Sequence, residues 1–128
     1  MPDRPNGYFV GPTVFDEVSP RMAIGHEEIF GPVASISPVR TLEEAIALAQ
    51  SHPNANATSI FTSSGKAARE FAKHAPASMV GVNIGVAAPM AYFPFGGAKD
   101  SFFGDLKAHG RDGIEFYTDK KVTISRWF

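Results

Sequence analysis

This 128-residue sequence predicts an α/β fold with a parallel sheet. Three observations support that prediction. Strand-like runs alternate with two helical patterns between Val33 and Asn83, each helix opens on a hydroxyl-bearing cap, and each connection is long enough for a crossover. Strand, helix, strand, helix, strand is two successive βαβ units, an order that demands parallel pairing with right-handed crossovers.

Taken in order, residues 1–32 show no sustained period, because Pro2, Pro5, Pro12, Pro20 and Pro32 break them into loops and short pieces. Ser19 and Pro20 offer a cap and a pre-set first helical residue, but Gly25 stops that helix after about one turn. Val33 to Val39 predicts the first strand. Thr41 opens a helix with Glu44 three residues on, a capping box, and Leu42, Ala45, Ile46 and Ala49 share one face. Ala57 to Thr62 predicts the second strand. Ser63 or Ser64 caps the next helix, in which Ala68, Phe71, Ala72 and Ala75 recur at helical spacing until Pro76 ends it. Met79 to Asn83 is the third strand. Gly85 to Gly113 is loop-like, with six glycines and two prolines, and Lys120 to Trp127 alternates as a lone strand at the carboxyl end. A strand without a sequence neighbour is a candidate for pairing with another chain.

Composition is that of a folded globular domain, 44% hydrophobic and 20% charged. Twelve Lys and Arg against thirteen Asp and Glu leave a net charge of -1 without a like-charge block, which points away from nucleic acid and anionic membranes. The apolar stretch from Met79 to Met90 is interrupted by Asn83, two glycines and Pro89, short of the roughly 20 residues of a membrane span. With no secretory-type start and no cysteine, the expected setting is cytoplasmic, or the mitochondrial matrix in a eukaryote. Eleven Phe, mostly outside the periodic segments, need packing partners that a small domain supplies poorly. Exposed apolar patches and self-association are therefore expected.

The residues alone name no reaction. His26, Glu27 and Glu28 are contiguous and point in divergent directions, which argues for a solvated turn over a metal site. His52, His74 and His109 are isolated, as surface or capping histidines are, and Asp100, Asp105 and Asp112 lack calcium-loop spacing. No nucleophile elbow or phosphate loop is present.

Several motifs together carry more. Gly7-Tyr8-Phe9-Val10-Gly11-Pro12-Thr13, Glu27 to Val33, Ile60-Phe61-Thr62, Val80-Gly81-Val82-Asn83, Phe95-Gly96-Gly97 and Tyr117-Thr118 with Lys121 occur in this order. In that order the chain resembles the carboxyl-terminal part of an NAD-dependent aldehyde dehydrogenase. Ser101-Phe102-Phe103-Gly104-Asp105, Gly113 to Thr118 and Arg126-Trp127 resemble the acylating branch, which oxidises methylmalonate or malonate semialdehyde and passes the acyl group to coenzyme A.

The resemblance implies that residues 1–128 are part of a three-layer catalytic domain without its NAD-binding domain, and that residues 117–128 form an oligomerisation strand. It implies that Glu28 holds the nicotinamide-side ribose hydroxyls of NAD, that Phe30 lies against the nicotinamide, and that Phe95 walls the aldehyde pocket. Gly31 and Pro32 are expected to fix the turn that presents Glu28 and Phe30. Phe30 and Phe95 as plain core residues remain the alternative. The family's nucleophile is a cysteine, and this chain has none, so it is expected to be inactive alone. The alternative function is a non-catalytic oligomerisation or interaction module, its partners being further copies or the remaining aldehyde dehydrogenase subunits.

Overall fold

The structure, a computed structural model, describes residues 6–128 and divides into two compact units at His52 and Pro53. In the first unit, β1 (Thr13–Phe15) and β2 (Val33–Ser35) form a parallel pair in which Thr13 faces Val33 and Phe15 faces Ser35. The Ile36 N–H donates to the Phe15 carbonyl at 2.8 Å and the Val18 N–H donates to the Ile36 carbonyl at 2.9 Å, which draws Val18 into the core at 5% exposure. Pro38 lacks the N–H that a continuing ladder needs, and β2 stops well short of the predicted Val39. A single 3-10 turn at Ala23–Gly25 stands where Ser19, Pro20 and Gly25 predicted an abortive helix.

The first helix, α1 (Leu42–Ser51), begins as predicted. The Thr41 hydroxyl accepts the Glu44 N–H at 3.2 Å. The Glu44 carboxylate reaches one residue beyond the cap, to the Arg40 N–H at 2.8 Å, so the reciprocal half of the box is displaced by one position.

In the second unit, β3 (Asn54–Ala55) precedes β4 (Ala57–Ile60), α2 (Gly65–His74), β5 (Met79–Val82), β6 (Ala98–Lys99) and α3 (Gly110–Phe116). β4 and β5 are parallel, joined through α2, and so close one βαβ unit. β3 and β6 pair antiparallel. The predicted strands at residues 33–39, 57–62 and 79–83 do not share one ladder. β2 takes its hydrogen bonds from β1, a strand too short to show a period, while β4 pairs with β5. Asn83 ends the β4 and β5 pair. Held at φ 56°, it accepts the Thr62 N–H at 2.8 Å and donates to the Thr62 carbonyl at 3.0 Å, so its side-chain amide supplies one more rung.

The core of this unit is small, with Phe71 on α2 at 6% exposure, Met79 on β5 and Ala55 on β3. Of the two serines that could cap α2, Ser64 does so, its hydroxyl accepting the Ala67 N–H at 3.2 Å. Ser64→Ala is expected to cost about 1 kcal/mol in urea unfolding, and Ser64→Asp, which keeps an acceptor, only a few tenths. An Ala variant as stable as the parent would mean that the hydroxyl does not hold the helix end.

Residues 117–128 contain no strand ladder, and Val122, Ile124 and Trp127 are each more than four-fifths exposed. Of the eleven Phe, nine are exposed and only Phe71 is buried. No helix among the described residues is long and apolar enough to cross a membrane.

Candidate functional site

The segment from His26 to Pro32 joins the 3-10 turn to β2. Its start is fixed by the Glu27 N–H donating to the Ala23 carbonyl at 2.8 Å. Its end is fixed by the Thr13 N–H donating to the Pro32 carbonyl at 2.9 Å and the Val33 N–H donating to the Gly31 carbonyl at 2.7 Å. Glu28 and Phe30 lie between these anchors and both are exposed. The left-handed residue of this turn is Phe30, at φ 54°, where glycine was expected to provide the bend. A bulky side chain at positive φ is strained. A Cβ on Gly31 would come no closer than 3.8 Å to any atom outside its chain neighbours, so crowding does not explain that glycine. Phe30 is 93% exposed and lies outside the core of this unit.

Phe95 belongs to the second unit, and its backbone is tightly held. Its N–H donates to the Ala108 carbonyl at 2.7 Å and its carbonyl accepts the Ala108 N–H at 2.9 Å, a two-bond antiparallel bridge. The turn after it is tied by the Ser78 hydroxyl, which donates to the Gly96 carbonyl, and by the Lys107 ammonium, which donates to the Gly97 carbonyl. Lys107 also lies 3.9 Å from the centroid of the Phe102 ring, a cation–π contact, while its own N–H donates to Asp112 at 3.1 Å. The Phe95 ring, 39% exposed, is stacked with the His109 imidazole at 5.5 Å between centroids and 26° between planes. His109, predicted as a surface or capping histidine, is exposed at the N-cap position of α3 and is in addition an aromatic partner of a predicted site residue. Its isolation in the sequence gave no signal of this, because the partner lies across a bridge rather than one helical turn away.

Among the described residues, no three His, Cys, Asp or Glu side chains gather as a metal site would require. The exposed residues are Glu28 and Phe30 on one segment of the first unit and Phe95 on a tied turn of the second.

The aldehyde dehydrogenase family model matches residues 1–123. The chain belongs to the aldehyde dehydrogenase family. Among curated aldehyde dehydrogenases, it is 58% identical over 122 residues to malonate-semialdehyde dehydrogenase 2 of Shouchella clausii and 56% identical over 122 residues to that of Geobacillus kaustophilus. Each comparison covers 95% of this chain and 25% of the relative, so the chain spans about a quarter of their length. Among solved aldehyde dehydrogenases, it is similar to methylmalonate-semialdehyde dehydrogenase from Oceanimonas doudoroffii, with a TM-score of 0.91, 48% identity and coverage of 95% of this chain and 25% of the other. It is also similar to an aldehyde dehydrogenase of Mycobacterium tuberculosis solved as a complex with NAD+. There the TM-score is 0.81 and the identity 37%, covering 91% of this chain and 23% of that one.

Proposed function

We propose that this chain supplies the nicotinamide-facing edge and a wall of the aldehyde pocket to an NAD-dependent, coenzyme A-acylating methylmalonate- or malonate-semialdehyde dehydrogenase. The observation that carries the proposal is the segment around Phe30, where an exposed aromatic is held at φ 54° two residues after the exposed Glu28. Backbone strain that presents an apolar ring to the outside is characteristic of a ligand-facing edge. Membership of the family supplies the ligand.

In this role Glu28 accepts two hydrogen bonds from vicinal ribose hydroxyls, and charge-assisted bonds of this kind are the stronger sort. Phe30 covers one face of the nicotinamide and limits its rotation. NAD, when bound, accepts the hydride of the aldehyde. Phe95, fixed by its bridge to Ala108, presents a flat apolar surface that keeps water from the reacting carbonyl. The nucleophilic cysteine of the family has no counterpart among these residues.

Purified chain incubated with malonate semialdehyde, NAD and coenzyme A is therefore expected to produce no NADH, followed by its absorbance. Turnover at an enzyme-like rate would overturn the proposed division of labour. In an active enzyme containing this chain, Glu28→Gln is expected to weaken NAD binding roughly tenfold, the loss of about 1.4 kcal/mol from one charge-assisted contact. Unchanged affinity in calorimetry would remove Glu28 from the cofactor site.

A second role is favoured by the carboxyl-terminal segment. Val122 and Ile124 recur at strand spacing, are exposed, and have no ladder partner among the described residues. Residues 117–128 serve in this reading as an oligomerisation strand that pairs with a further copy or with another aldehyde dehydrogenase subunit. Size exclusion with light scattering should show an assembly that Ile124→Asp dissociates. A monomeric parent chain would contradict it.

A further inference from the structure

We infer that His109 is the positioning residue of the Phe95 wall, its imidazole setting the angle of that ring. The inference rests on the proposed pocket role of Phe95 and extends it to a residue outside the motif.

The first observation is backbone strain. His109 sits at φ 71° and ψ 171°, a region populated almost only by glycine, and it is followed by Gly110 at φ 56°. A non-glycine side chain persists there only when the surroundings over-determine it, so retaining one needs a compensating role. Helix capping does not provide that role. His109 occupies the N-cap position of α3, yet its side chain makes no capping hydrogen bond. The contact its ring does make is the stack on Phe95.

The second observation is how the two segments are clamped. The Gly110 N–H donates to the Ala91 carbonyl at 3.1 Å, and the Phe95 and Ala108 bridge lies immediately beside it. A Cβ on Gly110 would lie 2.6 Å from the Tyr92 carbonyl oxygen, so glycine is required where the segments approach most closely, and the strained histidine falls at the adjoining position. These bonds fix the Phe95 backbone and leave its ring torsions to be set by what the ring touches. On its other contacts His109 borders a cavity of about 370 Å³ shared with Phe102, Phe116 and Tyr117. Removing the imidazole would enlarge that space and leave the Phe95 ring without its stacking partner.

The test is solution NMR on the chain with ring-labelled Phe, the Phe95 signals being assigned by their loss in Phe95→Leu. In the parent chain, Phe95 should show the displacement of a stacked ring and magnetisation transfer to His109. His109→Asn, polar but without a ring, should abolish both, and His109→Tyr should restore the displacement together with transfer to the ring introduced at that position. His109→Gly should abolish both while the unfolding midpoint holds or rises, because backbone strain is relieved. A residue that merely supported the fold would lower the midpoint instead. Phe95 signals unmoved in the Asn variant, or left unrestored by Tyr, would overturn the inference. Failure of the pocket reading shows separately, as a KM for malonate semialdehyde that Phe95→Ala leaves unchanged in the active enzyme although the ring signals respond to His109 as expected.

Discussion

Replacing Phe71 by alanine should cost about 3 to 5 kcal/mol, the range found when a large aromatic is deleted from a packed core. The second unit gives this position unusual weight. Phe71 is 6% exposed, the rest of the α2 apolar face is built from alanines, and the other strongly buried apolar side chains of the unit are Ala55 and Met79. The ring is therefore the main bulk that α2 sets against β5. Small domains have stabilities of about 5 to 15 kcal/mol, so the loss removes about a fifth of the total or more. Urea unfolding followed by far-ultraviolet circular dichroism should show an early, weakened transition for Phe71→Ala. Phe61→Ala is the control. Phe61 is 70% exposed, and its truncation should stay within about 0.5 kcal/mol of the parent. Equal effects at the two positions would show that burial of Phe71 does not organise this unit.

The legible parts of the fold are those whose signals are local. Thr41 and Ser64 each place a hydroxyl before a helical apolar pattern, and α1 and α2 begin there. β4 and β5 were visible as short runs bounded by turn residues, each following a helical pattern at crossover distance. β1, β3 and β6, of three, two and two residues, are shorter than a detectable period, and they exist because of partners distant in sequence. α3 was hidden by Gly110 and Gly113, which lower helix propensity, and by a histidine at its cap position. Lys120 to Trp127 has a strand's alternation without a ladder, because alternation describes one edge and pairing needs two.

The candidate site was legible through resemblance and through little else. Glu28 and Phe30 sit in a segment with no period, and nothing local marks Phe30 rather than the neighbouring Gly31 as the residue at positive φ. Phe95 was named from Phe95-Gly96-Gly97, but the bridge to Ala108 and the stack with His109 depend on a contact thirteen to fourteen residues on, which local spacing does not encode.

Gly97→Ala should be a strongly damaging small substitution near Phe95. A Cβ there would stand 2.4 Å from the Ser101 carbonyl oxygen and 2.8 Å from its carbon, both backbone atoms that cannot rotate aside. Ser101 is itself committed. Its N–H donates to the Ala98 carbonyl at 3.1 Å, and its hydroxyl accepts the Ala55 N–H at 3.0 Å. Displacing it strains the turn that contains β6 and removes the acceptor of a part-buried N–H next to the β3 and β6 pairing. Overpacking costs about 1 to 3 kcal/mol and an orphaned donor about 1 to 3 kcal/mol, and because the two losses share one movement we expect about 3 kcal/mol in total. Gly85→Ala provides the contrast, since its Cβ would meet nothing within 4 Å, and it should be neutral or slightly stabilising. Hydrogen exchange locates the damage, because the Ala55 amide should lose protection in Gly97→Ala while the β4 and β5 amides keep theirs. The Lys107 ammonium donates to the Gly97 carbonyl, so the same movement loosens the anchor of the turn that carries Phe95. In an active enzyme, KM for the semialdehyde should rise together with the loss of Ala55 protection, and an unchanged KM would separate the turn from the pocket.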